Sequence, residues 1–150
     1  MYEHIKFKNA INMRKANYDK FPSTKLTGML VQGWDSIISM LKKKMDARKV
    51  LAVDLYTGVY EEEVLGAFSK EFSGRVMNVR DLMKPEKEIQ ALTERFMTED
   101  VLFGYVTNLR LEDYLDADKV AAARKQISEA KETIVIIGTG AAVVAPQDAM

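Results

Sequence analysis

The part of the sequence best suited to chemistry begins at Asp54. Here an apolar run, residues 50–55, gives way to Tyr56-Thr57-Gly58-Val59 and then to three consecutive glutamates at 61–63. A strand that leads through a glycine-containing turn into a helix is a common phosphate site, because backbone N–H groups at the turn and at the helix N-terminus can surround an anion. The candidate ligand-binding residues in this stretch are Asp54, Tyr56, Thr57 and Gly58.

A working phosphate loop of the pattern G-x-x-x-x-G-K-[ST] needs a lysine that neutralises the phosphates and a hydroxyl that holds Mg²⁺. Aligned with this pattern, Leu55 and Tyr60 take the glycine positions, Glu61 takes the lysine position and Glu62 the hydroxyl position. At an effective dielectric near 20, attraction and repulsion between unit charges ~4 Å apart differ by roughly 8 kcal/mol. The sequence therefore predicts that ATP does not bind here in the usual way.

The three glutamates at 61–63 have three interpretations. Acidic residues in the first turn of a helix stabilise it by about 0.3–1 kcal/mol each, because they face the positive end of the macrodipole. They could also hold a metal ion or another cation, or contact a basic partner. All three interpretations stay open at the level of sequence.

Asp81 and a glycine pair at the end of the chain are the other candidates. Both Asp54 and Asp81 lie near the carboxyl ends of predicted strands, so they could serve as general bases or Mg²⁺ ligands. They could equally cap neighbouring turns or pair with Arg80 and Lys84. Gly138-Thr139-Gly140 has two glycines of a dinucleotide fingerprint but Val143 in place of the third, which favours a turn. Gly138 and Gly140 are retained as ligand-binding candidates.

Hydrophobic periodicity places these residues in alternating strands and helices. Apolar runs predict strands at 50–55, 75–79, 101–106 and 133–137. Helical spacing predicts helices at 34–45, at 64–72, after Pro85 and after Asp116, which is placed to cap its helix, and residues 141–145 begin one more element. The pattern predicts an α/β fold of three layers, αβα, with a mainly parallel sheet.

The domain organisation follows from length and from where the patterns lie. Residues 1–24 lack sustained periodicity and are predicted to be an irregular lead-in, and residues 25–150 are predicted to be a single domain. Because the last predicted strand lies close to Met150, we expect the natural protein to continue, with the C-terminal part of the fold beyond this sequence.

Composition excludes several classes of function. Lysine plus arginine balance aspartate plus glutamate at 22 each, so no long-range field favours nucleic acid or an anionic membrane. The absence of cysteine excludes disulfides and thiolate chemistry. A single histidine, His4, cannot form a complete zinc site, and no cofactor is expected. No apolar run is long enough to span a membrane, and we expect a cytoplasmic protein.

Three segments together resemble the uridine-kinase type of P-loop kinases. They are Val-Leu-Ala-Val-Asp-Leu-Tyr-Thr-Gly from residue 50, Val-Arg-Asp-Leu-Met from residue 79, and Thr-Ile-Val-Ile-Ile-Gly from residue 133. The resemblance implies a nucleoside-kinase-like topology, with Asp81 at the position where that family carries an aspartate near its substrate. The third segment usually ends in an acidic residue before its glycine, where this chain has Ile137.

A narrower resemblance is to the α/β region that precedes the cupin in some bacterial class I mannose-6-phosphate isomerase proteins. Residues 17–22, 54–63 and 138–142 carry it. The resemblance implies a fused or associated cupin isomerase domain as a partner. Isomerase activity does not follow, because that site is a Zn²⁺ held by His, Glu and Gln of a β-barrel, and this sequence has neither a second histidine nor a barrel pattern.

These observations favour a non-catalytic accessory or ligand-binding domain with a degenerate phosphate loop, taking a small anionic ligand. An alternative is an atypical small-molecule phosphotransferase with Asp81 as base and the backbone N–H groups of residues 57–59 as phosphate cradle. A third class, an oligomerisation domain, would need an apolar patch around Trp34 or Phe103, and a homo-oligomer stays open.

Overall fold

The computed structural model describes residues 18, 20–25, 27–28, 30–45 and 49–150. Most of the predicted lead-in at 1–24, including His4, lies outside the described residues. The contacts within the chain separate Met1–Leu30 from Val31–Met150, and the second unit holds all the helices and strands given below.

The secondary structure of the described residues alternates between helices and strands, largely as the hydrophobic pattern predicts. Two short 3₁₀ turns, Val79–Leu82 and Leu111–Tyr114, accompany them. The elements in chain order are α1 (Trp34–Met45), β1 (Val50–Asp54), α2 (Glu61–Glu71), β2 (Arg75–Asn78), α3 (Glu86–Glu94), α4 (Ala117–Glu129), β3 (Ile134–Gly138) and α5 (Ala141–Val144).

The three strands form one parallel sheet in the order β1-β3-β2. The central strand, β3, is buried along its whole length, which fits its continuous apolar sequence from Ile134 to Ile137. The register pairs Asp54 of β1 with Gly138 of β3, and Asn78 of β2 with Ile137. The predicted parallel sheet is therefore confirmed for these strands.

Helices cover both faces of the sheet, because successive side chains of a strand point to opposite sides. On one face Val135 and Ile137 join an apolar cluster with residues of α1 and α2, including Phe68. On the other face Ile134 and Ile136 join a second cluster with residues of α4 and α5. The α/β class is thus confirmed. Three strands do not test the finer prediction of a nucleoside-kinase-like topology, which stays a prediction.

The predicted strand at 101–106 is wrong. Val101 and Val106 are each 98% exposed, and residues 101–106 contain no strand. Asp100 Oδ1 accepts hydrogen bonds from the backbone N–H groups of Leu102 (2.8 Å) and Phe103 (3.2 Å), which turns the chain at the point where a strand would begin. We call residues 97–106 the exposed segment.

The predicted cap of α4 is confirmed. Asp116 Oδ1 accepts hydrogen bonds from the backbone N–H groups of Asp118 (3.0 Å) and Lys119 (3.1 Å), which satisfies two donors of the first helical turn. Among the helices of the described residues, none has the length and apolar character that a membrane crossing requires.

Candidate functional site

The three strands end together at one edge of the sheet. Because the sheet is parallel, the carboxyl ends of neighbouring strands lie side by side, and these ends are Asp54, Asn78 and Gly138. The segments that follow the three strands therefore all begin at the same end of the sheet. We call residues 54–63, 78–83 and 138–142 the carboxyl edge. Ligands of open parallel sheets bind at this edge, which makes it the candidate functional site of this fold.

Both carboxylate oxygens of Asp54 accept hydrogen bonds within the chain. Its Oδ1 accepts a hydrogen bond from the backbone N–H of Gly140, and its Oδ2 accepts one from the N–H of Ala142, each at 3.0 Å. These N–H groups belong to the start of α5, where they would otherwise be free to bind an anion. The structure therefore supports the interpretation of Asp54 as a capping residue.

Two further hydrogen bonds tie the end of β1 to the end of β3. The Thr139 hydroxyl donates to the carbonyl oxygen of Leu55 at 3.0 Å, and the N–H of Leu55 donates to the carbonyl oxygen of Gly138 at 3.3 Å. Together with Asp54, these contacts fix the path of residues 138–142 against β1.

Gly138 and Gly140 have conformational and steric roles. Gly138 has φ +138°, and a Cβ atom there would lie 2.8 Å from Val79 Cβ. Gly140 precedes α5 in the left-handed region with φ +87°. Both values of φ are ones that glycine adopts readily and other residues rarely do. Gly138 allows β3 to end closely packed against the turn that follows β2, and Gly140 allows the chain to turn into α5.

The turn after β1 projects from the sheet edge. The N–H of Val59 donates to the carbonyl oxygen of Tyr56 at 3.2 Å, with Gly58 at φ +95°. Thr57 and Gly58 are exposed, and Tyr56 and Tyr60 are 86% and 83% exposed. A Cβ atom on Gly58 would have no neighbour within 4 Å, so this glycine serves the turn conformation.

Two of the three glutamates have partners within the chain. Glu61 Oε2 lies 2.6 Å from Arg80 Nη2, and Glu63 Oε1 accepts a hydrogen bond from Trp34 Nε1 at 3.1 Å. Glu61 is only 15% exposed, whereas Arg80 is 65% exposed. The ion pair joins the start of α2 to the turn after β2, so the carboxylate at the lysine position of the phosphate-loop pattern already has its cation.

Asp81 lies apart from this contact network. It is exposed in the 3₁₀ turn Val79–Leu82 and lines a cavity of about 300 Å³ with Lys119 and Gln126 of α4. A different cavity, of about 320 Å³, lies at the carboxyl edge between Glu61, Arg80 and Thr139. Asp81 therefore lines a different cavity from Glu61, Arg80 and Thr139. The other residues predicted from the sequence line neither of these two cavities: Asp54, Tyr56, Thr57, Gly58, Gly138 and Gly140.

The carboxyl-edge cavity combines one ion pair with an apolar wall. Its remaining lining residues are Met83, Leu111, Tyr114 and Leu115. Its volume is at the lower end of small-molecule sites, which have about 300–1,000 Å³.

Sequence reasoning did not identify Arg80 or Tyr114 as site residues. The position of Arg80, next to Asp81 and just after a predicted strand, could have identified it as a site residue. No sequence feature could have identified Tyr114, because it lies in a loop whose path the sequence does not predict.

Metal binding has no support in the part of the chain that the structure describes. Among those residues, no three His, Asp or Glu side chains are grouped so that they could hold a metal ion. The acidic run at 61–63 therefore does not form a metal site with other described residues.

Comparison with known proteins assigns the chain to a family. The model of the family DUF8485, described as "Domain of unknown function (DUF8485)", matches residues 33–150, and the chain belongs to this family. Neither the search of curated proteins nor the search of solved structures finds a match.

Proposed function

We propose that this chain is a non-catalytic, ligand-binding accessory domain whose carboxyl edge binds a small molecule with a single anionic group. One observation carries the proposal: a cation and two N–H groups at the carboxyl edge already have carboxylate partners within the chain. Asp54 occupies the N–H groups of Gly140 and Ala142, and Glu61 pairs with Arg80.

A triphosphate that bound the N–H groups of Gly140 and Ala142 or the guanidinium of Arg80 would have to compete with these contacts. Hydrogen bonds to charged groups contribute about 1.5–3 kcal/mol each, and Asp54 makes two of them. A triphosphate would also meet the carboxylates of residues 61–63. The cost of displacement and repulsion both act against ATP.

A ligand with one anionic group does not face the same cost. The guanidinium of Arg80 has five N–H donors, Glu61 contacts its Nη2, and the side chain is 65% exposed. Arg80 can therefore keep Glu61 and still donate to one phosphate or carboxylate group at the mouth of the cavity. Met83, Leu111 and Tyr114 would contact the uncharged part of such a ligand.

The proposal includes association with a mannose-6-phosphate isomerase of the cupin type. Two of the segments that carry this resemblance, residues 54–63 and 138–142, belong to the carboxyl edge. Part of the third, at 17–22, lies outside the described residues. The association predicts that the domain binds a purified cupin isomerase in sedimentation experiments. The absence of a complex at protein concentrations of tens of micromolar would refute this part.

Calorimetric titration tests the ligand class. Mannose 6-phosphate serves as the singly phosphorylated probe, and ATP–Mg²⁺ as the competing one. We expect saturable binding of mannose 6-phosphate that Arg80→Gln abolishes and Arg95→Gln, at the exposed end of α3, leaves unchanged. We expect no binding of ATP–Mg²⁺ at micromolar affinity. Micromolar binding of ATP–Mg²⁺ would overturn the proposal and favour the phosphotransferase alternative, in which Asp81 is the base and the N–H groups of residues 57–59 bind phosphate.

The exposed segment favours a second candidate function, protein association. Leu102 is 82% exposed, Phe103 71% and Tyr105 70%, beside the fully exposed valines at 101 and 106. Apolar side chains grouped on a surface in this way are typical of interaction sites. A homo-oligomer that Phe103→Ser disrupts in sedimentation equilibrium would support this function, and a wild-type monomer at high concentration would exclude self-association.

A further inference from the structure

A cavity of about 760 Å³ lies at the opposite end of the sheet from the carboxyl edge. Lys49, which lines it, immediately precedes β1, whereas Asp54 ends that strand. At about 3.3 Å per residue, the strand separates this cavity from the carboxyl edge by roughly 17 Å. The cavity is therefore distinct from the carboxyl-edge site.

The floor of the cavity is apolar. Ile127 of α4 and Val144 of α5 line it, and both belong to the buried cluster between the sheet and these two helices. The partly buried Val50, Ala130 and Ala145 pack against the same cluster. A ligand in this cavity would cover side chains that continue directly into the hydrophobic core.

The wall formed by the tail after α5 is held in place by backbone hydrogen bonds. The N–H of Ala149 donates to the carbonyl oxygen of Pro146 at 3.1 Å. The N–H of Met150 donates to the carbonyl oxygen of Val50 at 3.0 Å, and the N–H of Ala52 donates to that of Met150 at 2.8 Å. The tail thus runs along the outer edge of β1, and the cavity exists before a ligand binds.

The charged groups of the lining are two cations, Arg124 and Lys49, and one carboxylate, Asp148. Arg124 Nη2 donates to the carbonyl oxygen of Val143 at 2.7 Å, which holds the guanidinium beside the cavity. A guanidinium has five N–H donors, so others remain for a ligand. The lining therefore offers a positioned cation above an apolar floor.

We propose that this cavity binds a small amphipathic monoanion, such as a carboxylate with a hydrocarbon body. The anionic group is bound by Arg124, with Lys49 in support, and the hydrocarbon lies on the partly exposed lining residues Val50, Ala130 and Ala145. Volumes of about 300–1,000 Å³ with a mostly apolar lining and few polar groups are typical of small-molecule sites. This proposal is independent of the one made for the carboxyl edge.

A titration of the ¹⁵N-labelled chain with octanoate, followed by its amide spectrum, tests the proposal. We expect saturable shifts at residues 127, 144 and 148–150, with a dissociation constant at least tenfold lower than that for 1-octanol, the uncharged control. Shifts confined to the exposed segment, or equal affinity for octanoate and octanol, would overturn the proposal.

Three variants assign the anion contact. Arg124→Gln should raise the dissociation constant for octanoate about tenfold, whereas Lys125→Gln, on the exposed side of the same helix, should change it less than twofold. Asp148→Asn, in the exposed tail, removes the lining carboxylate and should therefore lower the dissociation constant for octanoate about threefold. This variant tests the proposal even if Arg124→Gln does not fold. An unchanged or raised constant in Asp148→Asn would contradict the proposal.

Discussion

The sequences of the carboxyl edge and the exposed segment differ in how well they predict contacts. For residues 54–63 the sequence leaves several roles of the acidic side chains open, and in the structure Asp54, Glu61 and Glu63 are bonded to other parts of the chain. Residues 101–106 look like a buried strand, yet Val101, Leu102 and Phe103 are exposed. Residue types determine which contacts a segment can make, and the neighbouring elements determine which contacts it does make.

The difference between the two regions is also one of packing. Phe68, which lies in the helix that begins at the carboxyl edge, is 2% exposed and stacks on Phe72 with ring centroids 5.4 Å apart. Phe103 of the exposed segment is 71% exposed. Apolar side chains contribute to stability through the area they remove from water, so these two phenylalanines should contribute very differently.

The largest expected effect compares those two phenylalanines. Phe68→Ala should lower the free energy of unfolding by about 3–5 kcal/mol, because it leaves a cavity in the core. Phe103→Ala should change it by no more than about 0.5 kcal/mol, as surface substitutions usually do. Chemical denaturation measures both values. Similar losses in the two variants would show that the exposed segment is packed.

The next effect concerns the close approach of β3 to the turn after β2. Gly138→Ala should cost about 2–4 kcal/mol, because the added Cβ would meet Val79 at 2.8 Å and the backbone would be strained at φ +138°. Gly66→Ala is the matched control, since Gly66 lies in α2 with no atom within 4 Å of its Cβ position. There alanine should stabilise by about 0.5–1 kcal/mol. Thermal unfolding measures the change in stability of both variants. Equal changes in Gly138→Ala and Gly66→Ala would contradict the close packing of Gly138.

A smaller effect is expected from the cap that Asp54 provides. Asp54→Ala should lower the free energy of unfolding by about 1–3 kcal/mol, because the N–H groups of Gly140 and Ala142 lose their acceptor. Asp54→Asn keeps one acceptor oxygen and should lose less. Urea denaturation measures the free energy of unfolding of both variants and shows which of them loses more. An alanine variant as stable as the wild type would show that Asp54 does not hold the carboxyl edge together.

The smallest effect is that of the Glu61–Arg80 ion pair. Because Arg80 is 65% exposed, Arg80→Gln should cost only about 0.2–1 kcal/mol. The loss should shrink further in 1 M NaCl, where salt screens the charges. A double-mutant cycle with Glu61→Gln measures the coupling. A coupling energy that salt leaves unchanged would contradict an electrostatic origin.

Local signals in the sequence predict the elements of this fold well. The apolar run at 134–137 predicts the buried central strand, and Asp116 predicts the start of α4, because both depend on neighbouring residues only. The apolar run at 101–106 gives a wrong prediction because a local pattern cannot show whether a strand has a partner. Its composition suits a strand, but a strand also needs an edge to pair with, and Asp100 turns the chain instead.

The candidate site is predicted less completely than the fold. The sequence places Asp54 and Gly138 at strand ends, and register then pairs them. It does not predict that Arg80 meets Glu61, because this contact depends on how the turns after β1 and β2 lie across the sheet edge. It also does not predict the apolar wall, because Leu111 and Tyr114 reach the cavity from a loop without periodicity.

We propose that carboxylates of the chain itself close the carboxyl edge to polyphosphates. The most direct test follows the backbone amide signals of residues 57–59, Gly140 and Ala142 while ATP–Mg²⁺ is added to the ¹⁵N-labelled chain. We expect these signals to stay in place up to millimolar ATP–Mg²⁺. Saturable shifts of the same signals at micromolar ATP–Mg²⁺ would contradict it.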